Sequence, residues 1–220
     1  MKRLACLSLA LLLTACGPVK NLDPLGGLGG EDHSRYGFES GVQGWAPAAE
    51  GGSCTQVMSA PGRSLFGQSS LALVLDQMGN HYSGSPICPG ADDAGRASID
   101  LSASPVDLSA RTLSLWVYLP PTGQSSDSAP TQAQIYLVCS AGSVYGNGAG
   151  VNLVPNQWTR VNFSPTAWAG PGALDQNGVF LNAGFDPSSI KTVGVKFSAS
   201  GAAPCSFAFS GVVLVDSLDW

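Results

Sequence analysis

The sequence predicts an all-β chain built as a sandwich or barrel, and three observations predict it. From Tyr36 onward, short apolar or alternating runs are separated by clusters of Gly, Pro, Ser and Asn. No stretch sustains a 3.6-residue apolar period over three turns. About ten such runs follow one another with no helical segment between them, and strands without crossover helices must bury their apolar faces against other strands.

The first residues are of a different kind. Lys2 and Arg3 precede an apolar run from Leu4 to Leu13, which ends in Leu13-Thr14-Ala15-Cys16. A charged start, a short apolar run and small residues at a cut site make a secretory signal, and the run is too short to span a bilayer. A plain signal needs no cysteine there, and Leu-Thr-Ala-Cys resembles the lipobox of bacterial lipoproteins. That resemblance implies a signal peptide over 1–15, a lipid on Cys16, and an exported protein anchored to the bacterial cell membrane. The alternative is a soluble secreted protein cut near Ala15. Residues 16–34 carry the lipidated cysteine and Gly26-Gly27-Leu28-Gly29-Gly30, a spacer of about 18 residues with a reach on the order of 25 Å. Residues 35–220 form one domain, long enough to bury its own core.

Within it the clearest strand is 112–119, where Leu113, Leu115, Val117 and Leu119 alternate with Ser114, Trp116 and Tyr118. The second is 133–139, where Ile135, Leu137 and Cys139 lie opposite Gln134, Tyr136 and Val138, and the two are expected to line one sheet. Further strands are expected at 36–39, 53–58, 70–75, 97–101, 151–153, 158–163, 193–198, 205–209 and 212–215, with Gly146-Asn147-Gly148 as a hairpin turn. The connections at 120–131 and 164–189 are long enough to suspect function or mobility.

Charge is scarce, at 11% of residues. With Lys2 and Arg3 removed, the 10 basic residues become 8 against 15 acidic. Nothing in that balance suits nucleic acid, and no basic cluster adds electrostatic membrane affinity, so attachment rests on the lipid at Cys16. Beyond Cys6 and Cys16 remain Cys54, Cys88, Cys139 and Cys205, an even number that reads as two disulfides in an exported chain. Three connectivities are possible. Cys54 with Cys88 and Cys139 with Cys205 is favoured, each pair joining neighbouring segments of the sandwich. A zinc site competes poorly, because no Cys-x-x-Cys pair exists and His33 and His81 lie far from paired cysteines.

Several segments resemble, in order, the carbohydrate-binding modules of the galactose-binding-like type. These are Tyr36-Gly37-Phe38-Glu39-Ser40-Gly41 with Gly44-Trp45, the run from Leu108 to Tyr118, Gln157-Trp158-Thr159-Arg160-Val161, and the closing run from Ser210 to Trp220. The resemblance implies a two-sheet antiparallel jelly roll and a non-catalytic domain that binds cell-wall or extracellular glycan. It also implies a structural calcium held by an acid of the first strand and one of the last, positions matched by Glu39 and Asp216. An acid beside the apolar run from Val212 to Val215 is costly unless paired or bound to metal. The other reading has Asp216 facing outward or capping a strand end.

A sugar face needs aromatic rings to pack on pyranose rings and planar polar groups to meet hydroxyls. Trp116, Tyr118, Gln134 and Tyr136 supply both kinds if they share a face, and Asn80, His81 and Tyr82 add a rim. Against this, Trp116 and Tyr118 could pack beneath a loop or between sheets. Trp45, Trp158 and Trp220 match structural positions of the resemblance, and Trp168 is a platform or a loop anchor. Enzyme readings are thin. No Gly-x-Ser-x-Gly elbow occurs, His33 sits in the tether, and Asp92, Asp93, Asp175 and Asp186 fall in loops where solvated turns are the default. The expectation is therefore a non-enzymatic, tethered carbohydrate-binding sandwich. The alternative is an envelope lipoprotein that contacts protein partners, and behind both stands a jelly-roll enzyme that cleaves polysaccharide.

Overall fold

The computed structural model describes residues 34–48, 55–78, 94–121, 132–140, 145–148, 150–165, 185–198 and 209–220. They form eleven strands: β1 (Trp45–Pro47), β2 (Thr55–Pro61), β3 (Ser69–Met78), β4 (Ala94–Asp100), β5 (Leu113–Tyr118), β6 (Gln132–Cys139), β7 (Tyr145–Asn147), β8 (Val151–Asn152), β9 (Trp158–Phe163), β10 (Ile190–Ser198) and β11 (Phe209–Asp219). Sheet I runs β1-β4-β10-β6-β7, with β8 also on β6, and sheet II runs β2-β3-β11-β5-β9. All ladders between named strands are antiparallel.

The strand order makes the sandwich a jelly roll. With β1 and β2 set aside as extra edges, and β7 and β8 taken as one interrupted strand, sheet II holds the first, eighth, third and sixth strands. Sheet I holds the second, seventh, fourth and fifth. The expected fold class is thus the observed one.

Alternation explains which side chains fill the space between the sheets. Leu113, Leu115 and Val117 of β5 are fully buried, as are Ile135, Leu137 and Cys139 of β6, Val193, Val195 and Phe197 of β10, and Val213 and Val215 of β11. These residues form one continuous core with Leu71, Leu73, Val161 and Phe163. Gly95 is required where sheet I approaches sheet II, since a Cβ there would come within 2.4 Å of the Leu75 side chain.

The structure corrects several local expectations. Strands β5 and β6 do not line one sheet: β5 pairs with β11 and β9, whereas β6 pairs with β10, β7 and β8. In a jelly roll the chain changes sheet between most successive strands, so adjacency in sequence is a poor guide to pairing. Residues 36–39 contribute one bridge, Tyr36 to Leu218, and then turn. Phe38 is fully buried with φ 60°, and its N–H donates to Gln43 Oε1 at 3.0 Å. The Gly146-Asn147-Gly148 segment is not a hairpin turn. Gly146 and Asn147 belong to β7, and β8 continues along β6 with a one-residue shift in register. Of the run expected at 205–209 only Phe209 lies among the described residues, and it belongs to the same strand, β11, as the run expected at 212–215.

Cys139 is fully buried at the Ile190 end of β6. Cys54, Cys88 and Cys205 lie outside the described residues, as do residues 1–33 with Cys16, the Asn80-His81-Tyr82 rim and Trp168. No disulfide is present among the described residues. No described helix is long and apolar enough to cross a membrane.

Candidate functional site

The four residues expected to form one sugar face are divided between the two outer faces of the sandwich. Trp116 and Tyr118 alternate with the core residues of β5 and stand half-buried on the outside of sheet II. Gln134 and Tyr136 alternate with the core residues of β6 and lie on the outside of sheet I, with the whole core between the two pairs. Tyr136 is 2% exposed and Gln134 7%. Tyr136 lies over Gly194, where a Cβ would come 2.3 Å from the ring carbon that bears the hydroxyl, and it packs with Ala48 and Val138. Gln134 donates to the Gly148 carbonyl at 3.4 Å.

On sheet II a different set gathers around Trp116 and Tyr118. The register of the edge strand β9 places Trp158 opposite Tyr118, Arg160 opposite Trp116 and Asn162 opposite Ser114, all on the outer face. The Tyr118 and Trp158 rings lie 5.4 Å apart at 43°. The Tyr118 hydroxyl donates to Asn156 Oδ1 at 2.7 Å. Asn156 has φ 62°, a left-handed conformation Asn tolerates, and its N–H donates to the Leu119 carbonyl at 2.8 Å, which pins the turn entering β9 to the end of β5. Trp116 meets Phe66 edge to face at 6.5 Å, and the Arg160 guanidinium lies 6.0 Å from its ring centre, the outer limit of a cation–π contact.

This patch offers three half-buried aromatic rings, Trp116 and Tyr118 along β5 and Trp158 across from Tyr118, with the amide of Asn156, the guanidinium of Arg160 and the amide of Asn162 exposed beside them. The family resemblance gives Trp158 a structural role, whereas here it stands on the outer face beside Tyr118. The alternation Trp158, Arg160, Asn162 against Thr159, Val161, Phe163 already marked its outward direction, but no local signal said that β9 pairs with β5. Of the remaining tryptophans, Trp45 packs in the core against Tyr36 and Phe38, and Trp220 lies against Tyr36 beneath Arg35, as their structural reading expects.

Glu39 and Asp216, the expected calcium ligands, flank the turn between β2 and β3. Glu39 accepts the N–H of Gln68 on both carboxylate oxygens at 2.9 Å and that of Ser69 at 3.0 Å. Asp216 is fully buried, and its Oδ2 accepts the N–H of Leu65 at 2.7 Å and of Phe66 at 3.1 Å. Calcium is held by oxygen ligands, carbonyls among them, whereas this turn directs backbone N–H groups at both carboxylates. The donor set does not fit the ion, and no group of three or more His, Cys, Asp or Glu gathers among the described residues.

No family model matches the sequence, and no curated protein matches it. Among solved structures the chain is similar to the C-terminal family 22 carbohydrate-binding module of Clostridium thermocellum Xyn10B, at 12% identity over 85% of this chain and 92% of that one, with a TM-score of 0.46. It is similar also to a xylan-binding family 22 domain of Paenibacillus barcinonensis Xyn10C, at 11% identity over 83% and 94%, with a TM-score of 0.49. A family 11 module of Clostridium thermocellum, solved with a mixed-linked tetrasaccharide, matches at 14% identity over 83% and 90%, with a TM-score of 0.38. The jelly-roll assignment itself rests on the strand order of the two sheets.

Proposed function

We propose that this chain is a non-catalytic carbohydrate-binding lipoprotein, that its sugar platform is the outer face of β5 and β9, and that a lipid on Cys16 tethers it to the bacterial surface. The observation that supports the platform is the half-buried group of Trp116, Tyr118 and Trp158 with planar polar side chains at its margin. Aromatic faces pack against the apolar side of pyranose rings, and amides and guanidinium groups meet the hydroxyls. Trp116 and Tyr118 are two residues apart on one strand, about 7 Å, so a chain of sugars rather than a single residue suits the pair. With the signal cut, 8 basic against 15 acidic residues leave 8 − 15 = −7, which suits a neutral glycan better than a polyanionic one.

The test is retention of the full chain in native gels containing soluble neutral polysaccharides. Retention by the wild type, reduced at least tenfold by Trp158→Ala at unchanged melting temperature, is the expected result. Equal retention of the two proteins would sink the platform. For the tether, incorporation of labelled fatty acid is expected to vanish in Cys16→Ser.

A second reading, docking of an envelope protein, draws on one specific feature. Met58, Ala72, Leu214, Tyr118 and Trp158 stand opposite one another across all five strands of sheet II, and Met58 and the nearby Val212 are 49% and 36% exposed. Ala72 and Leu214 are buried, so the accessible apolar groups are Met58 and Val212 on one side and Tyr118 and Trp158 on the other, a spread wider than one sugar chain requires. Met58→Glu leaves sugar retention unchanged under the first reading and abolishes partner capture under the second.

A further inference from the structure

We infer that Asp216 is a positioning residue of the aromatic platform, and that with Glu39 it forms a metal-free clamp on the turn 62–68. The inference rests on the platform reading for its effect on sugar binding, but the clamp is argued from its own geometry.

Asp216 owes its place to alternation along β11, which puts it on the outer face with Leu214, and a bulge follows it. Along β11, Asp216 faces Trp116 and Asp219 faces Ser114, so three residues of β11 span two of β5, and Ser217 takes φ 54°. Asp216 thus presents a fully buried carboxylate on the sheet's outer side, beneath the turn between β2 and β3. Its two amide partners are consecutive, Leu65 and Phe66, and adjacent N–H groups aimed at one oxygen form an anion-binding recess. Glu39 fills the matching recess at Gln68 and Ser69. Gly67, at φ 65°, admits it: a Cβ there would come 2.2 Å from Glu39 Oε1. The Gly62 N–H closes the turn on the Gln68 carbonyl at 2.7 Å, and Ser64 Oγ donates to the Gly67 carbonyl at 3.1 Å.

The consequence for the platform runs through Phe66. The residue whose N–H Asp216 holds is the one whose ring meets the edge of Trp116, and Asp216 is itself the register partner of Trp116. One carboxylate therefore sets the height and tilt of one wall of the patch. Aiming four N–H groups at the two carboxylates does by amide dipoles what a cation would do by charge.

The test uses the full chain in three forms: wild type, Asp216→Asn and Phe66→Ala. Asp216→Asn keeps the shape and one acceptor oxygen but removes the charge. It is expected to speed amide exchange at Leu65 and Phe66 more than tenfold, to shift the Trp116 indole N–H resonance, and to weaken polysaccharide retention about fivefold. Phe66→Ala is expected to weaken retention similarly while leaving the Leu65 exchange rate near that of the wild type. A lowered melting temperature in Asp216→Asn with the Trp116 resonance and retention unmoved would make Asp216 purely structural and overturn the proposal. So would one equivalent of calcium bound by chelator-treated protein, with a raised melting temperature. If Asp216→Asn fails to fold, Glu39→Gln carries the exchange readout at Gln68 and Ser69, and Phe66→Ala carries the Trp116 resonance and retention. A wild type retained on no polysaccharide removes the platform reading, while exchange and the Trp116 resonance still decide the clamp.

Discussion

The outer faces of the two sheets began as equals and ended as opposites. On sheet II, Trp116, Tyr118 and Trp158 are half-buried, with polar neighbours exposed beside them. On sheet I, the corresponding positions of β6 carry Tyr136 and Gln134, almost wholly buried, with the tyrosine ring laid over Gly194. Both strands alternate equally well in sequence. Alternation sorts side chains into two faces, and it carries no information about how much chain covers the outer one.

The contrast is broken most sharply by exchanging the loss of a ring between faces. Tyr136→Ala is expected to destabilise the protein by about 3 kcal/mol, the usual cost of emptying a buried aromatic site, whereas Trp158→Ala costs stability little and retention much. Chemical denaturation of both variants checks this, and a Trp158→Ala loss as large as that of Tyr136→Ala would erase the distinction. A smaller effect is expected from Tyr118→Phe, which keeps the ring beside Trp158 and removes only the bond to Asn156. Two- to fivefold weaker retention, consistent with about 1 kcal/mol for one hydrogen bond, is the expected titration result.

The smallest effect concerns neither face but the turns at their margins. Asp100, Asp107 and Asp186 are each held below the usual carboxylate range by hydrogen bonds from the serine two residues on. Their folded pKa values lie below the unfolded ones, so the contribution is complete above the unfolded value, about 3.9, and fades as pH falls through the lower folded values. Asp100 and Asp107 are exposed and Asp186 is partly so, and solvent screens all three, so only a shallow loss of melting temperature below pH 4 is expected. A drop that begins between pH 5 and 7 would point to other groups.

Much of the fold was legible. Strand β9 was read to its residues, and β5 and β6 to within one or two, because each alternates cleanly between a core face and an outer face. Strand β1 was missed, because three residues, Trp-Ala-Pro, give alternation no length to show itself. The site was half legible. Trp116 and Tyr118 were found, but their expected partners Gln134 and Tyr136 belong to the other sheet, and the real partners Trp158 and Asn156 come from a strand that only tertiary pairing brings alongside. Cys139 stands at the Ile190 end of β6, about 23 Å of strand from Gln132, whereas Phe209 pairs with Met78 at the opposite end. Cys205 is four residues before Phe209, at most about 14 Å of chain, so a non-reducing peptide map is expected to lack a peptide joining Cys139 to Cys205.

By itself the sequence determined that the chain is all β, which residues of each strand share a face, and that an acid would stand beside the apolar run from Val212 to Val215. These follow from periodicity and composition, properties that a few neighbouring residues carry. The tertiary structure alone decided which faces meet, which outward aromatic side chains stay accessible, and that Asp216 is answered by the amides of Leu65 and Phe66, roughly 150 residues away in the chain. Those outcomes depend on pairing between distant segments, and no local pattern encodes the identity of a distant partner.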